Sequence, residues 1–157
     1  MRPVSGVVMA AVLAAACGGG GPARDESGQV TQPQQVSIYH LQTGDCFNDP
    51  EADQLPNPEV LEVVPCADAH NTEIYYSFTL AEGARPSEEQ LGQIGADQCI
   101  PAFEAFVGIA FELSALNVFP LTPTAEQWIE RGHRTVHCVL FNLDLSDLVG
   151  SARGTAR

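Results

Sequence analysis

The sequence predicts an α+β fold: a single small domain in which a mostly antiparallel sheet packs against a kinked helix, with two disulfides. Three observations predict this class. Segments rich in β-branched and aromatic residues are separated by turn-forming segments, one helical pattern of apolar residues is interrupted by a proline, and four cysteines fall within or beside these elements. The length of 157 residues suits one domain with one ordinary core.

Four segments have the composition of strands. They are residues 37–41, 59–64, 72–80 and 133–143, and the stretch 48–58, rich in Asp, Pro and Asn, is expected to be a loop. In the last strand apolar residues occupy both odd and even positions. We therefore expect that strand to be covered on both faces.

Two helices are expected between the third and fourth strands. The first begins near Pro86, where residues 87–90 (SEEQ) have the spacing of a capping box and acidic residues lie in the first turn. Pro101 interrupts its apolar pattern and should kink the helix or split it in two. A shorter helix over residues 123–131 should end at Gly132.

Residues 1–16 predict a signal peptide of the lipoprotein type. The apolar run 4–16 would be about 20 Å long as a helix, which is too short for a bilayer core of roughly 30 Å. Three alanines precede Cys17, as in a bacterial lipobox, although Ala14 stands where leucine is usual. Cys17 is then expected to be diacylated and to become the mature N-terminus. The alternative is an ordinary signal peptide cleaved before Cys17, which would leave an unpaired thiol.

The segments on either side of the expected domain, residues 37–148, have compositions typical of flexible chain. Residues 17–36 should form a linker with a root-mean-square reach of roughly 25 Å, and residues 149–157 should form a loose tail. With lipid on Cys17, the expected location is the extracytoplasmic face of the cell membrane, anchored by that lipid. The protein has 20 acidic and 7 basic side chains and a formal net charge of −13, which argues against nucleic acid as a partner.

The four cysteines of the domain predict two disulfides with three possible pairings. We favour Cys46–Cys66, which closes a local loop, and Cys99–Cys138, which joins the helix to the last strand. Each should contribute about 3–4 kcal/mol to stability. A metal site is the competing interpretation, because histidines lie near Cys66 and Cys138. His133 and His137 are four residues apart in the last predicted strand, which separates them by about 13 Å, too far to share an ion. We therefore expect neither a metal nor a cofactor.

Several short motifs in a fixed order resemble the septum-formation family of actinobacterial envelope proteins. They are LxxGDCF (41–47), VVPC (63–66), HxxE (70–73), a helix cysteine at 99, and P-x4-W-x3-G-x-R-x3-C (123–138). Ala69 departs from the pattern, since the family usually has proline before the histidine. The resemblance covers roughly residues 41–141. It implies an exported, membrane-attached role in the cell envelope associated with septation, and it implies no reaction.

The residues that could carry a function are few. His70 and Glu73 could form a base or a pH-sensitive contact, or His70 could bond backbone and fix the turn after Cys66. Trp128 and Arg134 could bind a ligand, or could anchor the core. No familiar hydrolase motif occurs. We therefore expect a non-catalytic envelope module whose partner is an envelope protein or cell-wall material. The alternative is an enzyme acting on envelope polymers, or a small-ligand-binding protein, that uses the His70/Glu73 loop.

Overall fold

The structure is a computed structural model that describes residues 21–49 and 59–157. The expected signal peptide, Cys17 and most of the loop 48–58 lie outside the described residues. The elements are β1 Gln34–Ser37, β2 Cys46–Asn48, β3 Val60–Val64, β4 Ala69–His70, β5 Thr72–Thr79, α1 Glu88–Val107, β6 Leu116–Leu121, α2 Ala125–Glu130, β7 Thr135–Asn142 and β8 Leu148–Val149. No helix in these residues has both the length and the apolar composition needed to cross a bilayer.

Six strands form one sheet in the order β1-β3-β2-β5-β7-β6, and every neighbouring pair is antiparallel. A second, two-stranded ribbon pairs β4 with β8. Strand β6 carries Pro120 and lies at an edge of the main sheet, where a residue without an N–H is tolerated. The predicted α+β class with a mostly antiparallel sheet is confirmed.

Apolar side chains cover both faces of the sheet. On one face α1 packs over β5, β6 and β7, and its core includes Phe103, Cys138 and Leu140. On the other face Ile74 and Val139 pack with residues of the N-terminal strands. Strand β7 is therefore covered on both sides, as its apolar pattern predicts.

Helix α1 begins where its capping box predicts. The Ser87 side chain accepts a hydrogen bond from the backbone N–H of Gln90, and the Gln90 side chain accepts one from the backbone N–H of Ser87. The helix ends at Gly108, which has a φ of 91°. Residues on both sides of Pro101 belong to this one helix, so the proline does not split it.

Both favoured disulfides are confirmed. Cys46–Cys66 joins β2 to the segment after β3, and Cys99–Cys138 joins α1 to β7, with Cα–Cα distances of 5.2 and 5.4 Å. The bridged residues are separated by 20 and 39 positions. Loop-closure entropy assigns about 3 and about 4 kcal/mol of stabilisation to such loops.

Several predicted strand boundaries were wrong. Residues 38–40 form a turn of 3-10 helix after β1, instead of continuing a strand to residue 41. Strands β2, β4, β6 and β8 were not predicted, because each is short or contains residues that are poor strand formers. Pairing with longer neighbours places them in sheets, and that pairing is not visible in local sequence.

The predicted linker and tail are both more ordered than expected. Arg24 forms an ion pair with the buried carboxylate of Asp45 through both guanidinium Nη atoms, and Val30 is only 6% exposed within the core. At the other end, residues 148–157, here called the C-terminal strap, bury Ala152 completely. Long-range partners supply the ordering energy that the compositions of residues 21–36 and 149–157 lack.

The contact between α1 and β6 leads to a stability prediction. A Cβ atom on Gly95 would lie 2.5 Å from the Cβ of Pro120, whereas a Cβ on Gly92 would have nothing within 4 Å. Gly95→Ala should therefore lower the free energy of unfolding by about 1–3 kcal/mol, because the proline ring cannot move aside cheaply. Gly92→Ala is the matched control and should raise it by up to about 1 kcal/mol. Urea unfolding followed by circular dichroism measures both; equal effects of the two substitutions would contradict the described packing.

Candidate functional site

His70 and Glu73 lie together in the interior, at the junction of the two sheets. His70 is in β4 and Glu73 is in β5, and neither side chain is exposed to solvent. One ligand-type atom from each of Cys46, His70 and Glu73 falls within 4.8 Å of the others. The two residues of the HxxE motif, His70 and Glu73, are therefore close in space and lie beside the first disulfide.

The carboxylate of Glu73 is bound by the C-terminal strap. The Ser151 hydroxyl donates to Oε1 at 2.5 Å, and the backbone N–H of Ala152 donates to Oε2 at 2.7 Å. A buried carboxylate is costly unless donors replace its water, and these two donors do so. The strap thus completes the environment of Glu73.

Backbone pairing holds the rest of the strap in place. Leu148 pairs with His70, and the N–H of Gly150 donates to the carbonyl of Cys66 at 2.7 Å. Further along, the N–H groups of Gly154 and Ala156 donate to the last carbonyls of α1, both at 2.9 Å. These bonds connect the first disulfide, the HxxE motif and the end of α1.

His70 contacts backbone, as expected of a histidine that fixes a turn. Its Nδ1 lies 2.9 Å from the carbonyl oxygen of Asp68. A carbonyl only accepts, so Nδ1 carries the proton of this hydrogen bond. Nε2 is buried and has no hydrogen-bond partner among the described residues.

The cluster does not have the donor set of a metal centre. The sulfur of Cys46 is bonded to Cys66, so it is not a thiolate. Both oxygens of Glu73 already accept hydrogen bonds from the strap. What remains is one imidazole nitrogen, and a structural zinc site uses four ligands.

Trp128 and Arg134 lie in a different part of the core. Trp128 is 5% exposed, packs with Leu80, Leu91 and Val136, and donates from its indole N–H to the carbonyl of Gly83 at 3.1 Å. The Arg134 guanidinium lies 3.6 Å from the centroid of the indole ring. The pair therefore anchors α2 to the sheet, and it does not share a cavity with His70 and Glu73.

A polar group of residues on the opposite face of the sheet was missed by sequence reasoning. His137 Nδ1 lies 2.8 Å from the hydroxyl of Ser77, which in turn lies 3.2 Å from that of Thr43. Burial is the main cause that lowers the pKa of His137 from 6.5 to about 4; the nearby His133 contributes in the same direction and Asp45 in the opposite one. Burial also lowers the pKa of His133. The apolar alternation of β7 was the available signal, since it placed His137 on a covered face.

The surface has an open groove of about 670 Å³ between α1 and β5. Its lining includes Tyr76 of β5, Pro101 and Ala102 of α1, and Arg153 of the C-terminal strap. A second cavity of about 280 Å³ lies beside α2 and is lined by Tyr39, Arg131 and three glutamates. Neither cavity is lined by any of the four candidate residues proposed from the sequence.

Comparison with known proteins agrees with the resemblance seen in the sequence. The family model described as septum formation matches residues 43–157. The chain is 28% identical over 115 residues to an uncharacterized membrane protein of Mycobacterium tuberculosis, found in strains CDC 1551 and H37Rv. The aligned region covers 67% of this chain and 25% of each relative, so the chain spans about a quarter of the length of the curated relatives it matches. No solved structure matches.

The buried His137 leads to a prediction about pH. Its folded-state pKa of about 4 is below its ordinary value of 6.5, so the unfolded chain binds an extra proton between these pH values. The contribution of His137 is complete above pH 6.5 and is lost as pH falls towards 4, by up to about 3 kcal/mol. In His137→Asn the decline in unfolding free energy from pH 7.5 to 4.5 should be shallower than in the wild type.

The exposed His40 provides the matched control for this measurement. His40→Asn should keep the wild-type dependence of unfolding free energy on pH. Urea titrations at a series of pH values give the slopes. A His137→Asn slope equal to that of the wild type would show that the buried imidazole does not resist protonation.

Proposed function

The chain belongs to the septum-formation family, and from that premise we propose that it is a lipid-anchored extracytoplasmic module that binds a partner in the cell envelope and catalyses no reaction. Membrane attachment would occur through a lipid on Cys17. The partner would be another envelope protein or cell-wall material. Membership of a family named for septum formation supports a role near septation.

The observation that carries the extracytoplasmic part of the proposal is the pair of disulfides. Cys46–Cys66 and Cys99–Cys138 use all the cysteines of the described residues. Such bridges form and persist in oxidising compartments and are rare in the reducing cytosol. An exported domain is therefore the natural setting for this chain. The curated relatives, which are named as membrane proteins, support attachment at the same boundary.

The position of Arg24 bears on how the domain would sit at the membrane. Its ion pair with buried Asp45 makes it part of the folded domain, and it follows Cys17 by seven residues. Seven residues span at most about 25 Å even when fully extended. A lipid on Cys17 would therefore hold Arg24 within about 25 Å of the bilayer surface as an upper limit, whereas for a free linker of residues 17–36 roughly 25 Å is only the root-mean-square reach.

The buried state of the HxxE motif supports a non-catalytic role. A general base must reach the proton that it removes, and His70 and Glu73 have no exposed surface. The Glu73 oxygens already accept hydrogen bonds from the strap, one of them from the Ser151 hydroxyl. This arrangement stabilises the fold and offers no nucleophile and base pair of the usual kind.

The lipid anchor can be tested in a mycobacterial host that expresses the full chain. Mass spectrometry of the mature protein should find Cys17 acylated at the N-terminus, and the protein should sediment with membranes. Cys17→Ser should remove the acyl mass and release mature domain from the membrane fraction, whereas the neighbouring control Gly18→Ser should behave as the wild type. An unmodified Cys17 thiol, or a mature chain that retains residues 1–16, would contradict the proposal.

A further inference from the structure

Strand β5 contains a bulge that places two consecutive tyrosines on the same face. Ile74 pairs with Val139 and Tyr76 pairs with Cys138, so Tyr75 is an extra residue with no partner in the register. Tyr75 and Tyr76 both point to the α1 side, whereas successive residues of a regular strand point to opposite faces. The bulge therefore adds an aromatic side chain to the face that packs against α1.

The two tyrosines have different roles. Tyr75 is 3% exposed, and its hydroxyl donates to the carbonyl of Cys99 at 2.8 Å, so it serves the core. Tyr76 is 36% exposed and lines the groove. Its ring is nearly parallel to that of Phe78, at 24° with centroids 6.1 Å apart, which orients it. Tyr76 thus presents an ordered aromatic surface that the core does not require.

The opposite wall of the groove is lined by short side chains, with polar groups at its margin. Pro101, Ala102 and Ala105 leave the space open, while Asp97 and Gln98 contribute a carboxylate and an amide. Arg153 also lines the groove, and its guanidinium lies 4.2 Å from the centroid of Phe106. It forms no ion pair with any residue that the structure describes, so its N–H groups can donate to a ligand.

This combination of groups matches the chemistry of a sugar chain. A pyranose ring has a flat face of C–H groups that packs on an aromatic ring, and a rim of hydroxyls that both donate and accept. Planar amide, carboxylate and guanidinium groups satisfy such hydroxyls in pairs. The groove volume of about 670 Å³ lies within the usual range for ligand sites. The net charge of −13 disfavours an anionic polymer as the occupant.

We propose that the groove between α1 and β5 binds a neutral, linear oligosaccharide, with one sugar ring stacked on Tyr76 and its hydroxyls bonded by Gln98, Asp97 and Arg153. The inference rests on the proposed function, because it specifies cell-wall glycan as the class of envelope partner. It assigns the binding to a groove that is not lined by His70, Glu73, Trp128 or Arg134.

Calorimetric titration of the full-length protein in detergent tests this inference, with chitopentaose and cellopentaose as neutral probes and pentagalacturonate as an anionic one. We expect saturable binding of at least one neutral probe. Tyr76→Ala should weaken it on the order of tenfold, the loss of one aromatic stack. Phe119→Ala removes an aromatic side chain that is 56% exposed elsewhere on the sheet, and this control should bind as the wild type does.

Three results would overturn the inference: no binding of either neutral probe at millimolar concentration, binding of pentagalacturonate alone, or equal weakening by Tyr76→Ala and Phe119→Ala. Circular dichroism checks that each variant is folded, and Gln98→Ala gives a second test at an exposed helix position that should also weaken binding. Failure here would leave the lipid anchor untouched, because membrane fractionation and mass spectrometry of Cys17 measure that part of the proposed function separately.

Discussion

The buried carboxylate of Glu73 is the constraint on which much of the structure depends. It lies in β5 near the junction of the two sheets, fully removed from water, and the Ser151 hydroxyl and the Ala152 N–H replace its solvent. Leaving that carboxylate unsatisfied would cost several kcal/mol in a domain of ordinary stability. The C-terminal strap must therefore be in place whenever β5 is, and it brings together the first disulfide, His70 and the end of α1.

This constraint separates the residues that hold the fold from the surface that can meet a partner. Internal contacts use the residues singled out from the sequence. Glu73 of the HxxE motif is bonded to the strap, and Arg134 contacts Trp128 of α2. Two residues after Ile74 in the same strand, the bulge brings Tyr76 out to the groove. Glu73 in the interior and Tyr76 in the groove both belong to β5, which pairs with β2 and β7 and lies under α1.

The sequence predicted the features that depend on residues close together in the chain. The capping box at Ser87, the stop at Gly132 and the two-sided burial of β7 all follow from residues within one turn or one strand. Counting the cysteines of the domain predicted two disulfides and left three pairings open, and the structure contains the favoured one. Three other features depend on residues far apart in the chain. They are the ion pair between Arg24 and Asp45, the hydrogen bonds from the strap to Glu73, and the bulge at Tyr75. Nothing in the composition of residues 17–36 or 149–157 distinguishes them from flexible chain, so these features could not be predicted from one sequence.

Glu73 serves the fold by holding the strap in place, and amide hydrogen exchange on Glu73→Met measures that role. Methionine keeps the volume and removes both acceptor oxygens. In this variant the amides of Ala152, Gly154 and Ala156 should exchange about ten- to a hundredfold faster than in the wild type, while those of β7 keep their protection. Glu62→Met, at an exposed position of β3, should leave all of these rates unchanged. If the strap amides of Glu73→Met are as well protected as in the wild type, Glu73 does not hold the strap.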